Sequence, residues 1–283
     1  MSKLKPILKW VGGKRQLLSQ IIPLIPEHNT YIEAFIGGGA VLFDLAPQNA
    51  IISDYNSELI NLYNVIKEQP QALIEALKVH SELNSSEYFY KIRSMDRDAT
   101  YKELPNYERA ARIVFLNKTC FNGLYRVNSQ GFFNSPYGKY KRPKICDEEL
   151  INRLSDYFNR NDIKIFCQDY KETLKMAEKG DFVYLDPPYM PISVSSSFTG
   201  YTDNGFSYEM QKQLRDECIK LKEKDISFIQ SNSDCPEIRE LYKDFDIIPV
   251  LAKRSINSKG DRRGNVGEVL ICYGIDLGDN NGA

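Results

Sequence analysis

The chain has 283 residues, 42% of them hydrophobic and 27% charged, with a formal net charge of −1. This is ample for one large domain, or for a domain carrying an insertion, and the charge does not announce a nucleic-acid binder. No run of about 18 apolar residues is present, which excludes a spanning helix, and the opening MSKLKPILKW lacks the apolar core of a signal peptide, so a cytoplasmic location is expected.

Six cysteines (Cys120, Cys146, Cys167, Cys218, Cys235 and Cys272) form no CxxC pair, and the only histidines are His28 and His80. Reduced thiols in a reducing compartment are expected, with no metal site.

In chain order, a strand is expected at Tyr31–Phe35, then the turn Gly37-Gly38-Gly39 and a short helix through Leu45. A second strand, Ala50–Ser53, ends on Asp54, and Asn56 can cap a helix over Ser57–Lys67. Strand, glycine turn, helix and strand open a doubly wound α/β domain. From about Pro70 to Asn117 the pattern is helical. A polar, aromatic and basic loop follows over Lys118–Lys144, then a helix over Asp147–Asn159. No strand is expected here, which makes this stretch an inserted, mainly helical module. Alternation resumes with strands at Ile163–Phe166, Phe182–Leu185, Ser227–Gln230, Ile247–Pro249 and Glu268–Tyr273, and helices at Lys171–Lys179, Ser207–Lys224 and Pro236–Lys243. The expected fold is therefore α/β, with a mostly parallel sheet. The loops Pro191–Gly205 and Lys253–Gly267 are long enough to be functional.

Asp186-Pro187-Pro188-Tyr189 follows the apolar strand Phe182–Leu185 directly. Ligands bind at such strand ends in α/β sheets. The two prolines fix the backbone and leave carbonyls without neighbouring amide donors. A carboxylate, a carbonyl and a flat ring suit a planar amine, with two acceptors for its hydrogens and a surface to stack on. The same tetrapeptide also serves as a rigid turn whose tyrosine packs on the core. In Phe35-Ile36-Gly37-Gly38-Gly39, missing side chains let a ligand approach the backbone at a helix N-terminus. Asp54 can accept hydrogen bonds from ribose hydroxyls. Gly12-Gly13-Lys14 lacks the spacing of a phosphate loop. Lys139–Lys144 holds four cations and no acid, and Lys253–Arg263 five cations against Asp261; each is either a polyanion contact or a solvated loop.

Trp10-Val11-Gly12-Gly13-Lys14, then the glycine turn, then Asp54-Tyr55-Asn56-Ser57-Glu58-Leu59-Ile60, then the Asp186–Tyr189 tetrapeptide resemble, in that order, the Dam-type DNA adenine methyltransferases of the alpha group. So do Phe121-Asn122-Gly123-Leu124-Tyr125-Arg126-Val127-Asn128 and Phe133-Asn134-Ser135-Pro136-Tyr137-Gly138-Lys139-Tyr140. The resemblance runs from Leu8 to about Tyr273. It departs at Ala34, where the family commonly has proline, and at Phe121, where some relatives have tyrosine.

The resemblance implies the S-adenosyl-L-methionine (AdoMet)-dependent methyltransferase fold, with a catalytic domain at 1–62 and 160–283 and a target-recognition domain at 63–159. Trp10, Lys14, Asp54 and Asp186 would contact AdoMet or shape its pocket, with Glu33, Phe35, Gly37, Gly38 and Gly39 lining it. Asp169 is either a contact for the cofactor's adenine or a helix N-cap. Asp186, Pro187, Pro188 and Tyr189 would hold the amine of an adenine flipped out of double-stranded DNA, since that amine is unreachable inside the duplex. Lys9, Phe121, Asn122, Leu124, Arg126, Pro136 and Tyr140 would meet the bases of a GATC site, Arg126 reading guanine or anchoring a phosphate. A monomer is expected. Two rivals are a cytosine N4-methyltransferase, which more often has serine before the proline pair, and a DNA-binding protein without catalysis.

Overall fold

The computed structural model describes residues 3–10, 12–190, 206–253 and 265–277. The loop Pro191–Gly205 and most of the cationic stretch Lys253–Arg263 lie outside the described residues. The strands are β1 (Tyr31–Glu33), β2 (Asn49–Asp54), β3 (Asp162–Cys167), β4 (Phe182–Leu185), β5 (Ser227–Ser233), β6 (Asp246–Lys253) and β7 (Asn265–Tyr273). The helices are α1 (Leu18–Ile21), α2 (Ala40–Leu45), α3 (Ser57–Glu68), α4 (Pro70–Glu82), α5 (Ser86–Ser94), α6 (Asn106–Thr119), α7 (Glu148–Arg160), α8 (Tyr170–Leu174), α9 (Tyr208–Glu223) and α10 (Pro236–Leu241).

Two compact units divide the chain. The first comprises residues 1–13, 37–48 and 54–167, and the second residues 14–36, 49–53 and 168–283. This is a division by packing, distinct from the division by role made above.

In the second unit, strands run in the order β2-β1-β4-β5-β7-β6. β1 pairs in parallel with β2 and β4, β4 pairs in parallel with β5, and β7 runs antiparallel between β5 and β6. Short strands with continuous apolar character, such as the wholly buried Phe182–Leu185, are what a parallel strand covered on both faces requires. β5 extends three residues beyond the apolar pattern, through Ser231, Asn232 and Ser233, all buried and all paired with β7. α8 stops at Leu174, well short of Lys179. Its next turn tightens into i→i+3 bonds from Met176 to Thr173 and from Ala177 to Leu174, and the chain then reverses at Gly180, whose φ is +92°.

The first unit is mainly helical. Asn56 caps α3 as expected, its Oδ1 accepting from the amides of Glu58 (3.1 Å) and Leu59 (3.2 Å). Phe43 of α2, Tyr63 of α3 and Phe158 of α7 pack with ring centroids 6.0–6.2 Å apart, forming an aromatic core. The 118–144 loop forms no named strand, yet it pairs with itself through isolated bridges Cys120–Tyr137 and Val127–Phe133.

Candidate active site and nucleic-acid interface

At the carboxyl end of β4, Asp186 is half-buried and Lys14 is 5% exposed. Lys14 Nζ lies 2.8 Å from Asp186 Oδ1 and 4.6 Å from the centroid of the Tyr189 ring. One cation thus neutralises the carboxylate and covers one face of the ring. Burial raises the Asp186 pKa above the ordinary carboxylate value, and Glu268 nearby raises it further, while Lys14 works against both.

The loop after the strand is fixed by residues that sequence reasoning did not single out. Gln211 Nε2 donates to the Pro188 carbonyl (2.9 Å), and Asn232 Nδ2 donates to Gln211 Oε1 (3.1 Å). The Met190 amide donates to Asn232 Oδ1 (3.3 Å), and Ser233 Oγ donates to the Met190 carbonyl (2.6 Å). The Tyr189 hydroxyl donates to Glu268 Oε2 at 2.8 Å. Polar residues continuing an apolar strand were the available signal, since Gln230, Ser231, Asn232 and Ser233 are each buried. The buried Glu33 accepts from the Tyr31 hydroxyl (2.8 Å), and Phe35 stacks on Tyr170 with centroids 5.1 Å apart. Asp169 caps α8, its Oδ1 accepting from the Lys171 amide at 2.9 Å.

The first unit holds the glycine turn. Asp54 Oδ2 accepts from the Gly37 amide (3.0 Å) and Oδ1 from the Asn56 amide (2.9 Å), while the Tyr63 hydroxyl donates to the Gly37 carbonyl (2.7 Å). Burial raises the Asp54 pKa and these backbone donors oppose the rise. A carboxylate offers about four lone-pair sites, so two amide donors leave it able to accept from hydroxyls. Trp10 stacks on Tyr125, with centroids 4.9 Å apart and planes at 26°.

The expected DNA-contacting residues also lie in the first unit, and most are tied together. Asn117 accepts from the Lys9 amide (2.9 Å) and donates to the carbonyls of Lys9 (2.7 Å) and Gly123 (3.0 Å), drawing Lys9 onto the Phe121–Leu124 turn. Asn122 and Gly123 are both left-handed, at φ +58° and +65°, so the turn is tighter than one glycine implies. The Phe121 amide donates to the Pro136 carbonyl (2.8 Å). Arg126 is exposed and donates through Nε to Asn134 Oδ1 (2.6 Å) and through Nη2 to the Asn134 carbonyl (3.3 Å). Asp96 accepts from the Phe133 amide (2.7 Å) and pairs with Arg112 (2.9 Å), anchoring this hairpin to the helices. Phe121 and Tyr140 present 55% and 40% of their surface to solvent. In the Lys139–Lys144 cluster, Lys144 is ion-paired with Asp147 (2.8 Å), while Lys139, Lys141 and Arg142 are exposed.

A mostly parallel sheet with one reversed strand, a clamped glycine turn, a strand-terminal acid and a carboxylate–proline–proline–tyrosine loop define an AdoMet-dependent methyltransferase fold. Residues 10–256 match the model of the D12 class N6 adenine-specific DNA methyltransferases, and the chain belongs to that family of enzymes. It is similar to the type II methyltransferase M1.LlaDCHI of Lactococcus lactis subsp. cremoris, at 51% identity over 96% of each chain. It is similar also to the type II methyltransferase M.MjaIII of Methanocaldococcus jannaschii, at 41% identity over 95% of this chain and 99% of that one. The DNA adenine methylase of Escherichia coli K12 is 34% identical over 96% of each chain. DNA is thus the substrate, and among the described residues no helix is long and apolar enough to cross a membrane.

Proposed function

We propose that the chain transfers a methyl group from AdoMet to the N6 amine of an adenine flipped out of double-stranded DNA, in the sequence GATC. The observation that carries this reading is the Asp186–Tyr189 loop, held at the end of β4 with Asp186 on the buried Lys14. In this reading residues 1–62 and 160–283 form the catalytic domain, residues 63–159 recognise the target, and the enzyme acts as a monomer.

AdoMet supplies an activated sulfonium methyl, so no covalent enzyme intermediate is needed. By the family resemblance Asp54 would accept from hydroxyls of its ribose, and Trp10, Lys14, Glu33, Phe35, Gly37, Gly39 and Asp186 are the other residues assigned to it. Asp169 would contact its adenine end. Flipping the target costs a few kcal/mol. Stacking on Tyr189 returns about 1–3 kcal/mol of that. Asp186 Oδ1 is occupied by Lys14, so Oδ2 accepts one amine hydrogen and the Pro187 carbonyl the other. The adenine amine is a poor nucleophile because its lone pair is delocalised into the ring. Two acceptors that draw its hydrogens out of plane localise the pair, and positioning with electrostatics carries the rate. Lys9, Phe121, Asn122, Leu124, Arg126, Pro136 and Tyr140 meet the bases, with Arg126 on a guanine.

The test is radiolabelled methyl transfer to duplexes with and without GATC, with the modified nucleoside identified. N6-methyladenine confined to GATC duplexes is expected; equal labelling of duplexes lacking GATC removes the sequence assignment. In the same assay Asp186→Ala is expected to lose methylation while keeping DNA affinity, and a wild-type single-turnover rate in that variant refutes the role given to the loop.

A further inference from the structure

Tyr189 is held at more points than a turn needs. Its backbone is fixed on both sides, through the Pro188 carbonyl on Gln211 and the Met190 amide and carbonyl on Asn232 and Ser233. One ring face is covered by Lys14. The ring tip reaches another strand, its hydroxyl donating to Glu268 Oε2 at 2.8 Å. Glu268 lies on β7 opposite Ser233 of β5, and β5 separates β7 from β4. The link therefore joins the loop after β4 to β7 past the intervening β5.

Backbone fixation leaves a tyrosine two side-chain torsions; the phenol oxygen lies on the axis of the second, so anchoring it fixes the first and with it the direction of the ring, while Lys14 over one face limits rotation about that axis. Burial raises the Tyr189 pKa well above its ordinary value, with Asp186 and Glu268 acting in the same direction, so the hydroxyl keeps its proton and donates. A phenol donating to a carboxylate makes a charge-assisted bond, stronger than a neutral pair. Stacking depends on where the ring lies, and from the β7 side the bond to Glu268 holds its far end.

We propose that Glu268 is a positioning residue for methyl transfer: by accepting the Tyr189 hydroxyl it fixes the direction of the ring against which the target adenine stacks. This rests on the base-flipping reading above. It makes Glu268 act through Tyr189 rather than on the substrate.

The experiment uses the full chain and single-turnover methylation of a GATC duplex at saturating AdoMet and DNA. It compares wild type, Glu268→Ala, Glu268→Gln, Tyr189→Phe and the double variant Tyr189→Phe/Glu268→Ala. Glu268→Ala is expected to slow the chemical step about ten- to a hundredfold, the effect of losing one hydrogen bond to a charged group, with AdoMet affinity, measured separately by titration, little changed. Glu268→Gln restores most of the rate, because its amide oxygen still accepts. Tyr189→Phe falls to the level of Glu268→Ala, and the double variant is no slower than the slower single one. A wild-type rate in Glu268→Ala, a Glu268→Gln no better than alanine, or losses that multiply in the double variant each overturn the proposal. If Glu268→Ala does not fold, Tyr189→Phe decides: its chemical step must slow about ten- to a hundredfold, and a wild-type rate overturns the proposal. Failure of the base-flipping reading looks different. A duplex with 2-aminopurine at the target then shows no fluorescence change on binding wild-type enzyme, whatever the kinetic cycle reports.

Discussion

Replacing Lys14 with methionine removes a cation while keeping the volume of its stem. The pair it breaks is neither a surface bridge nor a sealed one: Lys14 is 5% exposed, whereas the Asp186 side chain is 20% exposed at 2.8 Å. Exposed ion pairs contribute about 0–1 kcal/mol, and removing one partner of a fully buried pair costs about 3–5 kcal/mol. The geometry lies between, near the roughly 1.5–3 kcal/mol typical of a hydrogen bond to a charged group. Burial and Glu268 already push the Asp186 pKa upward and Lys14 is what restrains it, so the variant's carboxyl protonates at higher pH. A protonated Asp186 is a weaker acceptor for the amine. The methylation rate must therefore fall earlier on acidification in Lys14→Met than in wild type, and recover on the alkaline side. Single-turnover rates at saturating AdoMet, followed from acid to alkaline pH, should show a loss of about ten- to a hundredfold on the acid limb, shrinking as pH rises. Saturating cofactor separates this from any loss of AdoMet affinity. An acid limb unmoved by the substitution, or a loss constant at every pH, refutes the claim that Lys14 keeps Asp186 ionised.

The other tests address the turn, the hairpin and the helical core. At Gly39, φ is +70° and a Cβ would meet Phe43 Cε2 at 2.7 Å, so Gly39→Ala should cost more than the about 1–3 kcal/mol of left-handed strain and weaken AdoMet binding. Gly131→Ala, at φ +81° with nothing within 4 Å, should cost the strain alone and leave AdoMet binding intact, as melting and calorimetry would show. Arg126→Ala should narrow the rate gap between GATC and singly guanine-substituted duplexes by about ten- to a hundredfold, the worth of a bidentate guanine contact. An unchanged preference with lower activity on every duplex would make Arg126 a phosphate anchor. Burial lowers the His80 pKa from 6.5 to about 4, so the unfolded chain takes up a proton in that window that the folded chain refuses. Stability present above pH 6.5 is lost as pH falls toward 4, by about 3 kcal/mol at most, and denaturant titrations of wild type should show this slope where His80→Phe does not.

The alternation of strand and helix was legible because it rests on local signals: apolar runs for β1, β2 and β4, and an Asx cap for α3. What was hidden needed the third dimension. Ser231-Asn232-Ser233 reads as the polar end of a strand, and β5 in fact continues through it because these side chains find partners in Tyr184, Gln211 and Met190. Asn117, inside the apolar face of α6, had no visible purpose until it joined Lys9 to Gly123. The length of α8 was overestimated because helical spacing continues past Leu174, whereas Gly180 and the Asp181 side chain, which accepts from the Glu178 amide at 3.0 Å, draw the chain back toward β4. Asp169 carries the cap its sequence position allowed, and a cap does not preclude a second partner on the other carboxylate oxygen.

At the glycine turn, packing supplies a reason for the glycines that their sequence pattern does not show. Its glycines suggested a ligand pressed against bare backbone. In the fold, the chain's single tryptophan already takes part of that space: a Cβ at Gly37 would lie 2.9 Å from Trp10 Cδ1, and one at Gly38 would lie 3.0 Å from Trp10 Cβ. Gly39 makes room for Phe43 and the Tyr63 hydroxyl, and that hydroxyl in turn holds the Gly37 carbonyl. Packing alone would therefore require these glycines, with or without a cofactor. The groups that packing does not explain are the charged ones. Asp54 keeps a raised pKa in a buried setting, at a cost that two backbone amides only partly offset. Lys14 is buried beside a carboxylate at the end of a strand. A core built for stability alone would do as well with apolar residues at such positions. Under the proposed function, a bound cofactor would offset the cost at Asp54, Lys14 and Asp186, whereas Trp10, Phe43 and Tyr63 already account for the glycines.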